Sequence, residues 1–450
     1  MTETSVREAP ITVDIVTHKR TRRPVHSDRH ADSYYAATVN TQTDYPVLDE
    51  HITTDICIVG GGFSGVASAL ELTERGFNVV LLEARKIGWG ASGRNGGQLI
   101  RGIGDNPDQF RNQIGQDGVE AIHTMGLEAV DLVRKRIAKY DIQCDLKMGY
   151  FDAAMKPRHL RELKEDYEWM QSREYPHDLK MISQEQVRDI VGTDRYIGGM
   201  VDMGSGHLHP LNLCIGEAEA AAKHGARLFE YSKVNKIQKG DKPKVFTDRG
   251  SVTADFLILG GNAYMGDLEP SIGGKVLPAG SYIIATESLE PSVYNSLIPS
   301  DYAICDMNVA LDYFRLSADK RLLFGGMCNY SGRDPKDIVE SMRPKMLRVF
   351  PQLKDAKIDY QWGGMIGIGA NRMPQIGRLE PNIYYAQAYS GHGVNATHTA
   401  ARVLAEAISG QAQRFDAYAK IRHMTFPGGK TFRSPLLALG MLWYRLKDML

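Results

Sequence analysis

Residues 53–83 read TTDICIVGGGFSGVASALELTERGFNVVLLE, and the order of their apolar and glycine segments decides the fold. The β-branched apolar run before Gly60 predicts a buried parallel strand, and NVVLLE predicts a second strand that ends at Glu83. The segment between them predicts a helix over residues 64–75. The stretch is therefore a βαβ unit of about 30 residues, which indicates an α/β fold.

The glycines of this unit lie where a dinucleotide-binding site needs them. Gly60 allows a tight turn, Gly62 allows the backbone to approach a pyrophosphate, and Gly65 allows the helix to pack closely on the strand. The N-terminus of the helix offers N–H groups and a positive dipole to the phosphates. Glu83 follows Gly65 by 18 residues and is expected to accept hydrogen bonds from an adenosine ribose. The alternative is a glycine-rich turn in an unrelated α/β protein.

The composition is that of an ordinary globular protein and excludes several functions. The chain has 450 residues, of which 43% are hydrophobic and 24% charged, and its formal net charge is zero. This length predicts about two domains, and the absence of a basic excess argues against nucleic-acid binding. The five scattered cysteines predict neither a metal site nor a disulfide framework. With no secretory signal and no long apolar run, we expect no membrane span and a cytoplasmic location.

A nicotinamide enzyme would be expected to continue the alternation of strands and helices after Glu83. This chain instead enters GWGASGRNGGQ (residues 88–98), which has few side chains that could fill a core. In this segment and in other motifs, the chain resembles the D-amino-acid oxidase and glycine oxidase superfamily of FAD-dependent oxidoreductases. The resemblance covers about residues 45–425. It is carried by GGGFSG, Glu83, ASGRNGGQ, GHLHP (206–210) and YSGHGVNATH (389–398).

The resemblance implies a Rossmann-like FAD-binding domain and a substrate domain with a mostly antiparallel sheet. It also implies an extended FAD that the glycine-rich segment follows from the pyrophosphate toward the flavin, with Val234 at the adenine and the GHG loop at the pyrimidine end. Glycine and small residues let the backbone approach the cofactor closely. The expected FAD contacts are Gly60, Gly62, Phe63, Ser64, Gly65, Glu83, Ala84, Arg85, Gly90, Ala91, Ser92, Asn95, Gly96, Gly97, Gln98, Val234, Gly391, His392, Gly393, Val394, Asn395, Ala396 and Thr397.

The expected organisation is discontinuous. Residues 1–45 form an N-terminal arm, and residues 426–450 form a C-terminal helical tail that packs on the protein or contacts a membrane surface. The FAD-binding domain comprises residues 46–105, 196–272 and 355–425. The substrate domain comprises residues 106–195 and 273–354.

Within the superfamily the chain is most similar to bacterial γ-glutamylputrescine oxidoreductases. This resemblance is carried by SYYAAT (33–38), DYFRLSADKRLLFGG (312–326), FPQL (350–353) and the C-terminal tail. It implies a small-molecule amine substrate whose CH–NH bond is oxidised by hydride transfer to flavin N5, and an imine that water hydrolyses to an aldehyde. Oxygen or an electron carrier would accept the electrons. The alternatives are a cyclic imino-acid (L-pipecolate-like) oxidase, a glycine/sarcosine-type oxidase, or a flavin-binding scaffold or sensor without turnover.

Three departures from the amino-acid oxidases shape the expected substrate pocket. Several of those enzymes bind the substrate carboxylate with an arginine in the strand that corresponds to residues 363–370, where the nearest arginine here is Arg372. Sarcosine-oxidase-like members use a lysine after the GHG loop, where this chain has Asn395. They also attach FAD to a cysteine in that strand, and none occurs at 362–370, so we expect noncovalent FAD. Catalytic residues are not identified by motif; the pocket candidates are Tyr282, Tyr313, Arg315, Trp362 and His392.

Overall fold

The computed structural model describes residues 28–308, 311–329 and 335–427. Two β-sheets make up the framework, with helices packed mainly on the first. The helices are α1 Tyr34–Ala37, α2 Phe63–Glu74, α3 Arg111–Lys139, α4 Pro157–Ser172, α5 Pro210–Lys223, α6 Pro270–Gly273, α7 Pro291–Leu297, α8 Ile338–Val349, α9 Gly393–Ile408 and α10 Gln413–Ala419. No helix within the described ranges is long and apolar enough to cross a membrane.

The strands divide between the two sheets. The first sheet contains β1 His51–Val59, β2 Val79–Leu82, β7 Arg227–Phe229, β8 Lys236–Gln238, β9 Lys244–Phe246, β10 Ser251–Leu259, β16 Gln375–Glu380 and β17 Ile383–Gln387. The second contains β3 Gln98–Leu99, β4 Lys147–Ala154, β5 Leu179–Ile182, β6 Gly198–His207, β11 Leu277–Thr286, β12 Ala303–Asp306, β13 Tyr313–Leu316, β14 Leu322–Asn329 and β15 Ile358–Ile368.

The first sheet is parallel at its centre, in the order β16-β17-β10-β1-β2-β7. β1 pairs in parallel with both β2 and β10, so the predicted βαβ unit is confirmed, with α2 within one residue of its predicted bounds. Along β1, Ile56 and Ile58 face one hydrophobic core, whereas Cys57 and Val59 face another. Both faces of the strand are therefore covered, which explains its uninterrupted apolar run.

The second sheet is mostly antiparallel, in the order β15-β11-β14-β13-β12-β4-β6-β3, with only the β12–β4 pair parallel along that path. Phe314 and Phe324 stack at a ring distance of 5.5 Å in its core, and Phe350 meets Phe314 edge to face at 5.1 Å. The predicted combination of a Rossmann-like domain with a mostly antiparallel substrate sheet is confirmed.

Three strands of the second sheet come from segments that the predicted division gave to the FAD-binding domain. They are β3, β6 and β15, which pair with β6, β4 and β11 respectively. A β-strand shows its apolar pattern in the sequence, but its hydrogen-bonding partner is distant in sequence and leaves no local signal. The residues at which the two domains divide stay a prediction.

The N-terminal segment lies against the rest of the protein from residue 28 onward, with Tyr34 and Tyr35 in the core, and is not a separate arm there. Tyr34 and Tyr35 are buried, and the Tyr35 ring lies 4.9 Å from that of His209 and 5.4 Å from that of Trp362. The arm interpretation is therefore wrong for residues 28–45, because two adjacent aromatic side chains fill a space between the sheets. Residues 1–27, and residues 428–450 of the expected helical tail, lie outside the described residues.

Candidate FAD site

A cavity of about 1010 Å³ begins at the carboxyl ends of the parallel strands and extends to the second sheet. Strand β2, which follows β1 in the chain, is its neighbour on one side, and β10 is its neighbour on the other side. Ligands of open α/β sheets bind at such a switch point. The volume is at the upper end of the range of about 300–1,000 Å³ for small-molecule and cofactor pockets.

The turn between β1 and α2 brings backbone close to backbone. Gly60 has a φ of +113°, a conformation that favours glycine. A Cβ atom at Gly65 would fall well inside contact distance of the Gly60 carbonyl oxygen. Gly65 therefore lets α2 approach β1, as its place in the motif predicts, and it does not itself line the cavity.

Glu83 lies at the end of β2 and lines the cavity. Its Oε2 accepts a hydrogen bond from the Gly61 N–H at 2.6 Å, and its Oε1 accepts one from the Arg85 N–H at 2.9 Å. Burial raises the pKa of Glu83, and these backbone donors counteract that effect. The Ser232 N–H donates to the Glu83 carbonyl oxygen at 2.8 Å, which brings Val234 to the same end of the cavity.

The glycine-rich segment, residues 88–98, is held by its own polar side chains. Ser92 Oγ accepts a hydrogen bond from the Phe63 N–H at 2.8 Å and so ties the segment to the first turn of α2. Asn95 donates to the Ala91 carbonyl oxygen at 3.0 Å and accepts from the Gly97 N–H at 2.8 Å. These side chains line the cavity while they fix the loop.

Arg94, in the glycine-rich segment, lines the cavity and is nearly buried. Its guanidinium lies 4.3 Å from the centre of the Trp89 ring, and its Nε donates to the Trp89 carbonyl oxygen at 2.8 Å. Its own carbonyl oxygen accepts a hydrogen bond from Trp362 Nε1 at 2.9 Å. These contacts give Arg94 a structural role.

The GHG loop before α9 forms another part of the cavity wall. Gly391 has a φ of +107°, and the Tyr389 hydroxyl is hydrogen-bonded to Ser64 Oγ at 2.7 Å, which joins the loop to α2. Burial, and then the charges of Arg101 and Arg372, lower the pKa of His392. The imidazole is therefore neutral at physiological pH.

Most of the expected FAD contacts line this one cavity, and four do not: Gly65, Gly97, Asn395 and Ala396. Asn395 is buried, and its Nδ2 donates to the Gly102 carbonyl oxygen at 2.5 Å. Asn395 therefore holds the loop at Gly102 in place without lining the cavity itself.

The pocket candidates separate into two groups. Tyr313 and His392 line the cavity, and the Tyr313 ring lies over Gly96, where a Cβ atom would come within 2.5 Å of it. Tyr282, Arg315 and Trp362 are buried and do not line the cavity, so their interpretation as pocket residues is wrong. Tyr282 belongs to the core of the second sheet, where its ring fills space between strands.

The motifs missed one conspicuous part of the wall, the segment after β10. The sequence LILGG ends β10 as CIVGG ends β1, and because the two strands are parallel neighbours their glycines meet at one edge of the sheet. That repetition is the signal that could have identified the segment. The missed lining residues include Gly260, Gly261, Asn262, Tyr264 and Met265.

Comparison with known proteins identifies the family. Residues 55–407 match the family model described as "FAD dependent oxidoreductase". The chain belongs to this family. This FAD-dependent oxidoreductase is 46% identical to the γ-glutamylputrescine oxidoreductase of Escherichia coli K12, over 94% of this chain and 99% of that protein. It is 39% identical to a probable oxidoreductase, OrdL, of Haemophilus influenzae, over 93% of this chain and 97% of that protein.

Among solved structures, the oxidoreductase is similar to the glycine oxidase of Geobacillus kaustophilus, with a TM-score of 0.70 and 19% sequence identity. The match covers 83% of this chain and 100% of that chain. At this identity the likeness concerns the fold, which is thereby confirmed as glycine oxidase-like. The predicted cofactor of the family, FAD, is confirmed by the family match.

The residues present fit FAD. Gly60 and Gly62 leave room for a ligand beside the N-terminus of α2, whose first N–H groups have no partner within the helix. The cavity runs from Val234 and Glu83 past the glycine-rich segment to Tyr313, a path suited to an extended dinucleotide. Glycine backbone, a helix dipole and one carboxylate are the groups that a pyrophosphate and a ribose require.

Gly65→Ala is expected to destabilise the protein by about 1–3 kcal/mol, because the added methyl group collides with the Gly60 carbonyl and α2 must shift. The control is Gly126→Ala in α3, where the nearest atom to the added Cβ lies 3.5 Å away. Relief of glycine's entropy cost should stabilise that variant by about 0.5–1 kcal/mol. Denaturant unfolding measures both variants, and equal effects would contradict the close contact.

Proposed function

We propose that this oxidoreductase oxidises the CH–NH bond of an amine whose carboxylate is remote from the reacting carbon, as in γ-glutamylputrescine. The 46% identity to the Escherichia coli γ-glutamylputrescine oxidoreductase, over nearly the full length of both chains, carries the proposal. The product would be an imine, which water hydrolyses to an aldehyde. The rivals are oxidases of glycine, sarcosine or a cyclic imino acid, and a flavin-binding protein without turnover.

The chemistry of the cavity wall supports this substrate class. The strands of the second sheet contribute Gln98, Ser281, Cys305, Tyr313, Gly326, Gly364, Ile366, Gly367 and Ile368 to the cavity wall, and none of these is a cation. Arg94 and Arg372 line the cavity from the glycine-rich segment and from the turn after β15. A buried α-carboxylate without a cationic partner would cost several kcal/mol. A free α-amino acid is therefore disfavoured, whereas an amine with a distant carboxylate leaves that charge at the cavity mouth.

The cofactor contacts are proposed in three groups. The turn at Gly60–Gly65, with the N-terminus of α2, holds the pyrophosphate, and Glu83 with Val234 holds the adenosine. The glycine-rich segment and the GHG loop face the flavin. When bound, FAD would supply the acceptor for the hydride from the substrate carbon, which carries both electrons of the oxidation. The chain orients the C–H bond and admits the neutral amine, so no side chain need act as a base.

Oxygen or an electron carrier is proposed as the final acceptor, and the cytoplasmic location stays a prediction. The rate at which the reduced enzyme is reoxidised by dissolved oxygen, compared with an artificial quinone or dye, separates the two acceptors.

FAD is proposed to be noncovalent. Strand β15 contains no cysteine. Cys305 lines the cavity, but burial raises the pKa of its thiol well above the usual range, and a protonated thiol is a poor nucleophile. The purified protein is expected to be yellow and to release its flavin on heating or acid precipitation. Colour that remains with the precipitated protein would show a covalent bond and contradict this proposal.

Glu83→Gln is expected to weaken FAD binding about 10- to 100-fold, since a hydrogen bond to a charged group contributes about 1.5–3 kcal/mol. The control is Glu230→Gln, because Glu230 is a buried carboxylate that binds Lys86 and the Ile87 N–H without lining the cavity. Dissociation of FAD from each holoprotein is followed by flavin fluorescence. Equal affinity in the two variants would mean that Glu83 is not at the ribose.

Flavin reduction without oxygen, at equal substrate concentrations, tests the substrate class. γ-Glutamylputrescine is expected to exceed glycine, sarcosine and L-pipecolate at least about 100-fold in kcat/KM. A buried α-carboxylate without a partner costs several kcal/mol, and each decade in kcat/KM corresponds to 1.36 kcal/mol. Fastest reduction by an α-amino or imino acid would overturn the substrate proposal. No reduction by any amine would favour the non-catalytic alternative.

Arg372 provides a sharper form of this test. It is exposed at the cavity wall, in the turn between β15 and β16, where its N–H donates to the Gly369 carbonyl oxygen at 3.1 Å. Arg372→Gln is expected to raise KM about fivefold for γ-glutamylputrescine but not for putrescine, since an exposed ion pair contributes at most about 1 kcal/mol. Arg378→Gln, an exposed arginine away from the cavity, is the control.

A further inference from the structure

Arg315 in β13 is a buried cation that forms no ion pair with the described residues. It is 4% exposed. Its Nε donates to the Gly96 carbonyl oxygen at 2.8 Å, and its Nη2 donates to the Leu208 carbonyl oxygen at 2.8 Å and to the Tyr35 hydroxyl at 3.1 Å. Its Nη1 reaches the Leu316 carbonyl oxygen at 3.1 Å and His207 Nδ1 at 3.4 Å. Every nitrogen is hydrogen-bonded, but none of these partners carries a negative charge.

These contacts join four segments that are far apart in sequence. They are β13, the glycine-rich segment, the GHLHP segment at 206–210, and α1 in the N-terminal segment. The Leu208 N–H also donates to the Gly97 carbonyl oxygen at 2.7 Å, so the GHLHP segment and the glycine-rich segment are bonded to each other as well as to Arg315.

Gly97 gives independent support for this arrangement. It has a φ of +70°, and a Cβ atom there would lie 2.6 Å from Arg315 Nη2 and still closer to the Leu208 carbonyl oxygen. The glycine-rich segment therefore needs a glycine at this position because the guanidinium and the carbonyl occupy the space. Gly97 contributes to the site through Arg315, although it does not line the cavity.

The histidines of the GHLHP segment adapt to the buried cation. Burial and the charge of Arg315 lower the pKa of His207 and of His209 to about 3, so both rings are neutral. His207 Nε2 lies 3.0 Å from the Asp301 carbonyl oxygen, to which it donates, and this leaves Nδ1 as the acceptor for Arg315. No second positive charge is added to the cluster.

We propose that Arg315 is a positioning residue for the flavin and that, through Tyr35, it couples the N-terminal segment to cofactor binding. The guanidinium fixes the carbonyl groups of Gly96 and Leu208, and so presents the backbone of residues 95–98 to the cavity. A planar fork can bind two carbonyls in fixed directions, which the single ammonium of lysine cannot do. Arg315 has no donor left for a substrate carboxylate, so a role as substrate anchor is excluded. The inference rests on the proposed assignment of the cavity to FAD.

The test compares Arg315→Lys, Tyr35→Phe and the control Arg136→Lys. Arg136 is also a buried arginine, but it binds Glu71 and Glu217, which do not line the cavity. For each holoprotein, FAD dissociation is followed by flavin fluorescence, and the visible spectrum of the bound flavin and the thermal midpoint are recorded. The spectrum reports the surroundings of the flavin and does not respond to a general loss of stability.

Arg315→Lys is expected to raise the FAD dissociation constant at least tenfold and to shift the visible bands, and Tyr35→Phe to raise it at least threefold. Arg136→Lys should lower the thermal midpoint while it changes FAD affinity less than twofold. The positioning role would be overturned if the FAD dissociation constant of Arg315→Lys were within twofold of the wild-type value and its visible bands were not shifted. If Arg315→Lys does not fold, Tyr35→Phe tests the proposal alone, and wild-type affinity in that variant would overturn it. A wild-type protein that binds no FAD would instead overturn the proposed function.

Discussion

The close approach of α2 to β1 at Gly60 and Gly65 is the constraint on which the rest of the site depends. Because a Cβ atom at Gly65 would collide with the Gly60 carbonyl oxygen, only glycine lets the helix lie so near the strand. That approach places the N-terminus of α2 at the carboxyl end of β1. It also brings the Phe63 N–H to Ser92 and Ser64 to Tyr389, which join the glycine-rich segment and the GHG loop to the same helix.

The loops around the cavity are held by side chains that bind backbone groups of other segments. Asn395 binds the Gly102 carbonyl, and Arg315 binds the carbonyls of Gly96 and Leu208. Backbone that is held by such hydrogen bonds has less freedom to lose when a ligand binds, so less binding energy is lost in arranging it. The protein then supplies position and a mostly uncharged wall on the substrate side, and the redox chemistry comes from FAD.

The sequence predicted the local parts of the site well. The turn after β1 follows from glycine spacing next to a strand, which is a short-range signal, and the family resemblance implied that the glycine-rich segment would line the cavity. It failed where the answer depended on which way a side chain faces. Trp362 and Tyr282 are aromatic residues in strands, and alternation along a strand does not tell whether a face meets a cavity or a core. In the sequence, Arg372 was only the arginine nearest to residues 363–370, and the tertiary structure was needed to place it at the cavity wall.

By itself, then, the sequence determined the βαβ unit, the α/β class and, through its motifs, the family and its cofactor. The βαβ unit depends on residues within about 30 positions of one another, and local backbone preference and periodicity specify it. Each family motif is a short local segment, although the motifs lie far apart in the chain. Only the tertiary structure decided that Tyr34 and Tyr35 belong to the core, that β6 and β15 complete the second sheet, and that Arg315 lies behind the cavity wall. Each of those contacts joins segments far apart in sequence, such as Tyr35 with Arg315, and their pairing is set by shape and hydrogen bonding in the folded chain.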